Sequence, residues 1–352
     1  MFPQRPTGLR RRAAMLGLTT LLAAAVPAAL TAPAQARDQA AAVAPPDTTA
    51  TQADPVASPT AGAHLGDVRV LAHFDRAAGQ VAESMALEPD GSVIVGMIPA
   101  RQVVRVAPDG AVQVLATMPL PPDGGTSTPV VGSAQVTGVA RSDSGGVYFL
   151  YPSGQGGLNG IWQLSPSGET RLVVPLPADT FPNALAIDSE RARFLVTDSA
   201  GGRIWQAPLR GGAASVWSAD PALAPDGFFG ANGMKIHDGA VWASNSDRGT
   251  VVRIPLIRNG GSGGAEIRAT GLAGIDDFDF TGRGTEILAA INESSKVVRV
   301  GADGAHETLL DSEDGLQGTT GVTVRGHRVH VTNGANLAGD DPTLMLADLH
   351  RR

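Results

Sequence analysis

From about Asp67 onward the chain is a succession of short apolar–polar alternations cut by glycine-rich turns. Gly233-Met234-Lys235-Ile236 alternates, His237-Asp238-Gly239 turns, and Val241-Trp242-Ala243-Ser244 runs back. Asp247-Arg248-Gly249 turns again, and Val251-Val252-Arg253-Ile254 leaves. A side-chain period of two over short runs, bounded by Asp-Gly or Arg-Gly, predicts antiparallel strands joined by tight hairpins. The pattern recurs. Glu83–Leu87 leads into Val93–Val95 and Gln102–Val106, and Thr137–Arg141 into Val147–Leu150 and Gly160–Leu164. Asn183–Ile187 leads into Arg193–Thr197 and Arg203–Gln206, and Asp276–Phe280 into Glu286–Ala290 and Lys296–Val300. Thr320–Val324 leads into Arg328–Thr332 and Thr343–Leu346.

With Asn232, the lead residues of these copies stand at 83, 137, 183, 232, 276 and 320, at spacings of 54, 46, 49, 44 and 44 residues. The loop Pro121–Ser133 accounts for the long first interval. This is the period of a four-stranded propeller blade. Most copies carry a fourth strand, as at Ala111–Ala116, Thr170–Val174 and His306–Leu310. The last copy lacks one, and the first is preceded by a spare strand, Asp67–His73. Pairing the spare strand onto the last blade would close the ring and remove two exposed sheet edges. The expected fold is an all-β, six-bladed β-propeller over residues 65–352. A two-domain sandwich leaves the even spacing unexplained.

Ahead of this region the alternation is absent. Arg10-Arg11-Arg12 precedes an Ala/Leu-rich run, Ala13–Leu30, and Ala34-Gln35-Ala36 has the small-x-small form of a signal-peptidase site. Residues 1–36 are therefore expected to be a bacterial secretory signal peptide cleaved near Ala36, which implies a secreted or periplasmic protein. The apolar run is interrupted by Thr and Pro and is short for a membrane span, so no span is expected after cleavage. The arginines resemble a twin-arginine signal, but Ala14 and Met15 stand where that signal has Phe-Leu. Residues 37–64 are Ala, Pro, Thr, Asp and Gln with few large apolar side chains, the composition of a disordered linker.

Composition narrows the chemistry. The 44 Gly and 25 Pro suit a turn-dense all-β chain. A net charge of −7 argues against a nucleic-acid partner. The absence of cysteine excludes disulfides, thiol catalysis and zinc–thiolate sites. A small-molecule substrate and a monomeric chain are expected.

In a propeller the innermost strand of each blade lines the central channel, so the six lead residues converge on one point: Glu83, Thr137, Asn183, Asn232, Asp276 and Thr320. Asp277 competes with Asp276 for the inward direction. A lone Asn before Gly is ordinarily a turn residue, and a lone Glu is ordinarily solvated. Turns do not require carboxylates and carboxamides at one register in four blades, whereas a hard cation does. Glu83, Asn183, Asn232 and Asp276 offer oxygen only, which points to a divalent cation, Ca²⁺ ahead of Mg²⁺ or Mn²⁺. A second set, Asp198, Asn245, Asn292 and Asn333, follows the second strands. These side chains either close the strand ends as Asx turns or, with Asp198 and Asn245 foremost and alongside Thr137 and Thr320, contact substrate. The loop Arg258–Glu266 has neither the Lys-Ser/Thr pair nor the helix of a phosphate cradle.

Ala82-Glu83-Ser84, Pro182-Asn183-Ala184 and Ala231-Asn232-Gly233, with Val196–Ser199, resemble the gluconolactonase/regucalcin family over about residues 66–349. Paraoxonases and strictosidine-synthase-like propellers are similar more distantly. The resemblance implies a six-bladed propeller with one catalytic divalent metal, often Ca²⁺, that hydrolyses lactones or other esters. It also implies Glu83, Asn183, Asn232 and Asp276 as ligands, and Asp276-Asp277 is similar to the Asp-Asn pair of paraoxonases. Thr137 departs from members that place a further ligand in its blade, and none of the seven His stands at a lead position. A paraoxonase-like His dyad is not evident; a carboxylate not fully used in coordination, Asp276 or Asp277, is expected to take a proton from the attacking water. Phe228 and Phe229 near the mouth favour a hydrophobic ester or lactone over a bare sugar acid. The rival expectation is a non-catalytic secreted binding propeller with a structural calcium.

Overall fold

A computed structural model describes residues 64–336 and 339–350, which form six four-stranded antiparallel sheets. The expected signal peptide and nearly all of the expected linker lie outside the described residues. Blade one consists of Ala82–Leu87, Val93–Met97, Gln102–Val106 and Val112–Thr117. Blade two is Val139–Arg141, Val147–Tyr151, Gly160–Leu164 and Thr170–Pro175. Blade three is Pro182–Asp188, Arg193–Asp198, Arg203–Pro208 and Ser215–Ser218. Blade four is Ala231–His237, Ala240–Asn245, Thr250–Pro255 and Glu266–Ala269. Blade five is Ile275–Phe280, Ile287–Ile291, Lys296–Val300 and His306–Leu310. Blade six has Thr319–Arg325, Arg328–Asn333 and Thr343–His350. Its outer strand is His64–His73, from the other end of the sequence, with Leu65 opposite Leu349 and Val70 opposite Met345.

Local chemistry accounts for the hairpins. Asp238 and Gly239 both have positive φ, at 45° and 65°, as a two-residue hairpin of the twist-compatible hand requires. The second strands of blades one, three, four and five are buried along their whole length, as in Val93–Met97 and Ile287–Ile291, because both faces meet a neighbouring sheet. The core follows from this. Among the described residues it falls into six apolar clusters, each spanning two adjacent blades. One of them joins Ala72 and Leu344 of blade six to Val95 and Val104 of blade one, so packing runs around the full ring. No helix among the described residues is long and apolar enough to cross a membrane.

The inner strands carry an irregularity that the alternation did not reveal. Pairing slips between Ala82 and Met85, Pro182 and Leu185, Ala231 and Met234, Ile275 and Phe278, and Thr319 and Gly321. In each case the lead residue sits in a β-bulge. A bulge frees backbone groups from the ladder and re-aims side chains, and bulges are enriched beside active sites. Blade two has a shorter inner strand than its sequence suggests, because Gly138 donates its N–H sideways to the Asn183 carbonyl at 2.7 Å. A Cβ at Gly138 would stand 2.5 Å from that same oxygen, so only glycine allows the approach.

Candidate functional site

At four of the bulges the preceding blade supplies a hydroxyl to the carbonyl of the residue just before the lead residue. Thr137 donates to the Pro182 carbonyl at 2.9 Å, Ser199 to Ala231 at 2.7 Å, Ser246 to Ile275 at 2.7 Å and Thr320 to Ala82 at 3.0 Å. A second hydroxyl at three of these junctions takes the carbonyl of the lead residue itself. Thr197 donates to Asn232 at 2.6 Å, Ser244 to Asp276 at 2.6 Å and Thr332 to Glu83 at 3.2 Å. The backbones of Glu83, Asn183, Asn232 and Asp276 are thus pinned from the neighbouring blade before any ligand arrives.

The same serines orient the carboxamides. Asn183 Nδ2 donates to Ser199 Oγ at 3.1 Å, and Asn232 Nδ2 to Ser246 Oγ at 2.9 Å. Each hydroxyl already spends its proton on a backbone carbonyl, so it can only accept from the Asn. The amide nitrogens are therefore held at the wall, and each Oδ1 is left without a donor. Among the described residues no hydrogen-bond donor reaches the Glu83 carboxylate, whereas Asp276 receives Asn292 Nδ2 at 3.4 Å and is also favoured in its charged form by the Asn232 side chain.

Glu83, Asn183, Asn232, Asp276, Asp277 and Thr320 line a channel cavity of about 40 Å³. Glu83, Asn232 and Asp276 also line a separate mouth cavity of about 190 Å³. Glu83, Asn232 and Asp276 are therefore shared between the mouth and the channel. The Asp276-Asp277 bulge divides the two carboxylates: Asp276 lines both cavities, and Asp277 only the channel. Gly233 makes room for this bulge, since a Cβ there would meet Asp277 Cα at 2.6 Å.

Charge is concentrated here. Burial raises Glu83 to about 7, and the negative charge of Asp277 adds to the shift. Burial likewise raises Asp276 well above the carboxylate range, followed by repulsion from Glu83 and Asp277. Asp277 is held by Lys235, whose Nζ lies 2.7 and 2.9 Å from its two oxygens. Two buried carboxylates without a counter-charge, beside two donor-free carboxamide oxygens, make an all-oxygen cradle for a hard cation. No group of three His, Cys, Asp or Glu placed to hold a metal ion by itself occurs among the described residues, and half of this donor set is amide.

The raised carboxylates carry a pH consequence for the metal-free protein. A Glu83 whose folded value exceeds its unfolded value contributes stability below about pH 4.5 that is lost as pH rises through about 7. His330, lowered to about 4 mainly by burial, titrates in the opposite sense over part of this range. Comparison with a Glu83→Gln chain cancels it. In chelator, the stability of the native chain relative to Glu83→Gln is expected to fall by about 3 kcal/mol between pH 5 and pH 8. Urea unfolding at the two pH values measures this, and saturating calcium should abolish it.

Five sequence-derived candidates have partners within the fold. Asp198 is fully buried and accepts the N–H groups of Phe181 and Gly201, each at 3.0 Å. Asn245 is equally buried and bonds the Ala222 and Ala224 carbonyls and the Arg248 N–H. Both close turns. Thr137 and Thr320 give their hydroxyls to backbone carbonyls across the blade seams. Asp277 lines the channel, in an ion pair with Lys235. Sequence reading missed the orienting serines, Ser199 and Ser246, and the mouth residues Phe181, Gln135 and Glu293. The recurring triplets Thr197-Asp198-Ser199 and Ser244-Asn245-Ser246 were the available signal. A larger cavity of about 590 Å³ lies between blades one and two, but its Arg105 is spent on Glu88 and Asp90.

No protein-family profile matches the chain, and no curated protein matches its sequence. Solved structures do match in shape. A gluconolactonase from Xanthomonas campestris aligns with 16% identity and a TM-score of 0.57, covering 84% of this chain and 99% of that one. Regucalcin from Agrobacterium tumefaciens, described as a calcium-binding protein, aligns with 18% identity and a TM-score of 0.57, covering 82% and 96%. An inactive virginiamycin B lyase from Staphylococcus aureus aligns with 15% identity and a TM-score of 0.53, covering 76% and 80%. Similarity at this level establishes the propeller fold. Gluconolactonase and regucalcin propellers are among its neighbours, as the lead-residue motifs suggested.

Proposed function

We propose that this chain is an exported, divalent-cation-dependent hydrolase of lactones or related carboxylic esters, with Ca²⁺ as the preferred ion. One observation carries the reading: Glu83, Asn183, Asn232 and Asp276, their backbones pinned by the neighbouring blades, turn oxygens onto one channel cavity, and Glu83, Asn232 and Asp276 also line the mouth. The descriptions of gluconolactonase and of calcium-binding regucalcin support it. Glu83 and Asp276 would hold the ion by charge, and Asn183 and Asn232 by their carbonyl oxygens. When bound, such an ion polarises a substrate carbonyl and stabilises negative charge developing on its oxygen. Asp276 lines the mouth, as Glu83 does, and its Oδ2 is steadied by Asn292. We assign to it the proton of the attacking water. Water adds to the acyl carbon, the ring C–O bond breaks, and the products are a carboxylate and an alcohol.

Hydrolysis of δ-valerolactone, followed by proton release, is expected to fall at least 100-fold on chelation and to return with calcium. Hydrolysis indifferent to chelation contradicts the reading. Calcium that stabilises the chain while the lactone stays intact would leave a binding propeller whose cation staples the blades.

A further inference from the structure

The walls of the mouth cavity carry information that its floor does not. Phe181 is buried just ahead of the inner strand of blade three and stands 4.8 Å from Phe229, ring centre to ring centre. Phe229 in turn stands 4.3 Å from Phe228. Phe228 is 53% exposed, a costly arrangement for a phenyl ring in water. The exposure is built in rather than accidental. The Asp247 carboxylate accepts the backbone N–H groups of Asp226, Phe228 and Phe229 at 2.6, 2.9 and 3.1 Å. Phe229 returns its carbonyl to the Asp247 N–H at 3.0 Å. Four hydrogen bonds thus clamp the loop and present its rings to the cavity.

Ile98 and Val131 supply further apolar wall. No lysine or arginine lines the cavity, and its charged residues, Glu83, Asp276 and Glu293, are all acidic. Such a mouth repels an anionic group. An apolar group, by contrast, finds a prepositioned wall that needs no ordering on binding.

We propose that the mouth selects neutral lactones or esters bearing an apolar alkyl or aryl substituent, which packs on the clamped Phe228–Phe229–Phe181 wall. The reaction half of this rests on the hydrolase reading above, whereas the binding half does not. Two lactones sharing one reacting ring separate the contributions: δ-valerolactone, and δ-nonalactone, which adds a butyl chain. Each buried methylene favours binding by roughly fourfold. The kcat/KM ratio of δ-nonalactone to δ-valerolactone is therefore expected to exceed about 10. Phe228→Ala should cut that ratio several-fold, and Phe228→Leu should restore most of it.

Binding of the corresponding lactams, measured by calorimetry in calcium, gives a readout that needs no turnover. The butyl lactam should bind at least tenfold more tightly than the unsubstituted one, with the same dependence on Phe228. Cation-dependent turnover with equal kcat/KM for the two lactones overturns this inference and leaves the hydrolase reading intact. No turnover of either lactone, with Phe228-dependent preference for the butyl lactam, sinks the hydrolase reading and supports the apolar-ligand mouth. Absence of any preference between the lactams overturns the inference outright.

Discussion

A Glu83→Gln chain is expected to be more stable than the native chain in chelator at pH 8, and less stable than it in calcium. The reversal follows from what the carboxylate does in each state. Without a cation, Glu83 is ionised at pH 8 in a site that raises its proton affinity to about 7, close to Asp277 and Asp276. Its neutral amide isostere relieves that repulsion at nearly constant volume. With a cation, the same charge is one of the two carboxylates in the cradle, and its loss should weaken calcium binding on the order of 100-fold or more, with turnover falling alongside. Thermal unfolding of both chains with and without calcium reads all four states. A Glu83→Gln chain that responds to calcium as the native chain does would remove Glu83 from the site.

The second large effect is expected at Lys235. Its ammonium is the counter-charge for Asp277 beneath the ring, bound through both oxygens, and its side chain is only 26% exposed. Lys235→Met leaves three carboxylates crowded around the channel with no cation from the protein. Removing one partner of a buried pair generally costs about 3–5 kcal/mol. The partial exposure here reduces that to about 2–3 kcal/mol, or roughly 5–10 °C in Tm for a domain of this size. Lys235→Met/Asp277→Asn should recover most of the loss, because the unpaired charge then disappears as well. A single variant with unchanged Tm would mean that the ion pair does not secure the channel.

The propeller was legible because its period is set by turn chemistry. Asp238-Gly239 and its counterparts stop strands at near-constant spacing, and five such intervals admit few other folds. The ring was legible for a related reason: Glu83, Asn183, Asn232 and Asp276 share one register, and the structure brings all four onto one cavity. What alternation could not show is the bulge, because a lead residue in a bulge looks in sequence like an ordinary strand start. Two misplacements follow from that. Asp276 and Asp277 look equivalent on paper, yet the bulge sends one to both cavities and the other to the channel and Lys235. Asp198 and Asn245 look available on paper, yet their polar atoms are consumed by Phe181, Gly201, Ala222 and Ala224. Hydrogen-bond partners far apart in sequence decide such cases. The hydroxyls of Ser199 and Ser246 were hidden likewise, since their partners belong to the next blade.

Calcium titration of the chelator-stripped chain, following Tm, tests the central claim most directly. An ion bound only by the folded chain contributes about 2.7 kcal/mol at a hundred times its Kd. The predicted result is a rise of roughly 5–10 °C in the native chain, saturating at one ion per chain, with no rise in Glu83→Gln. A native chain whose Tm ignores calcium, or a Glu83→Gln chain that gains as much, would contradict a cation held on the ring.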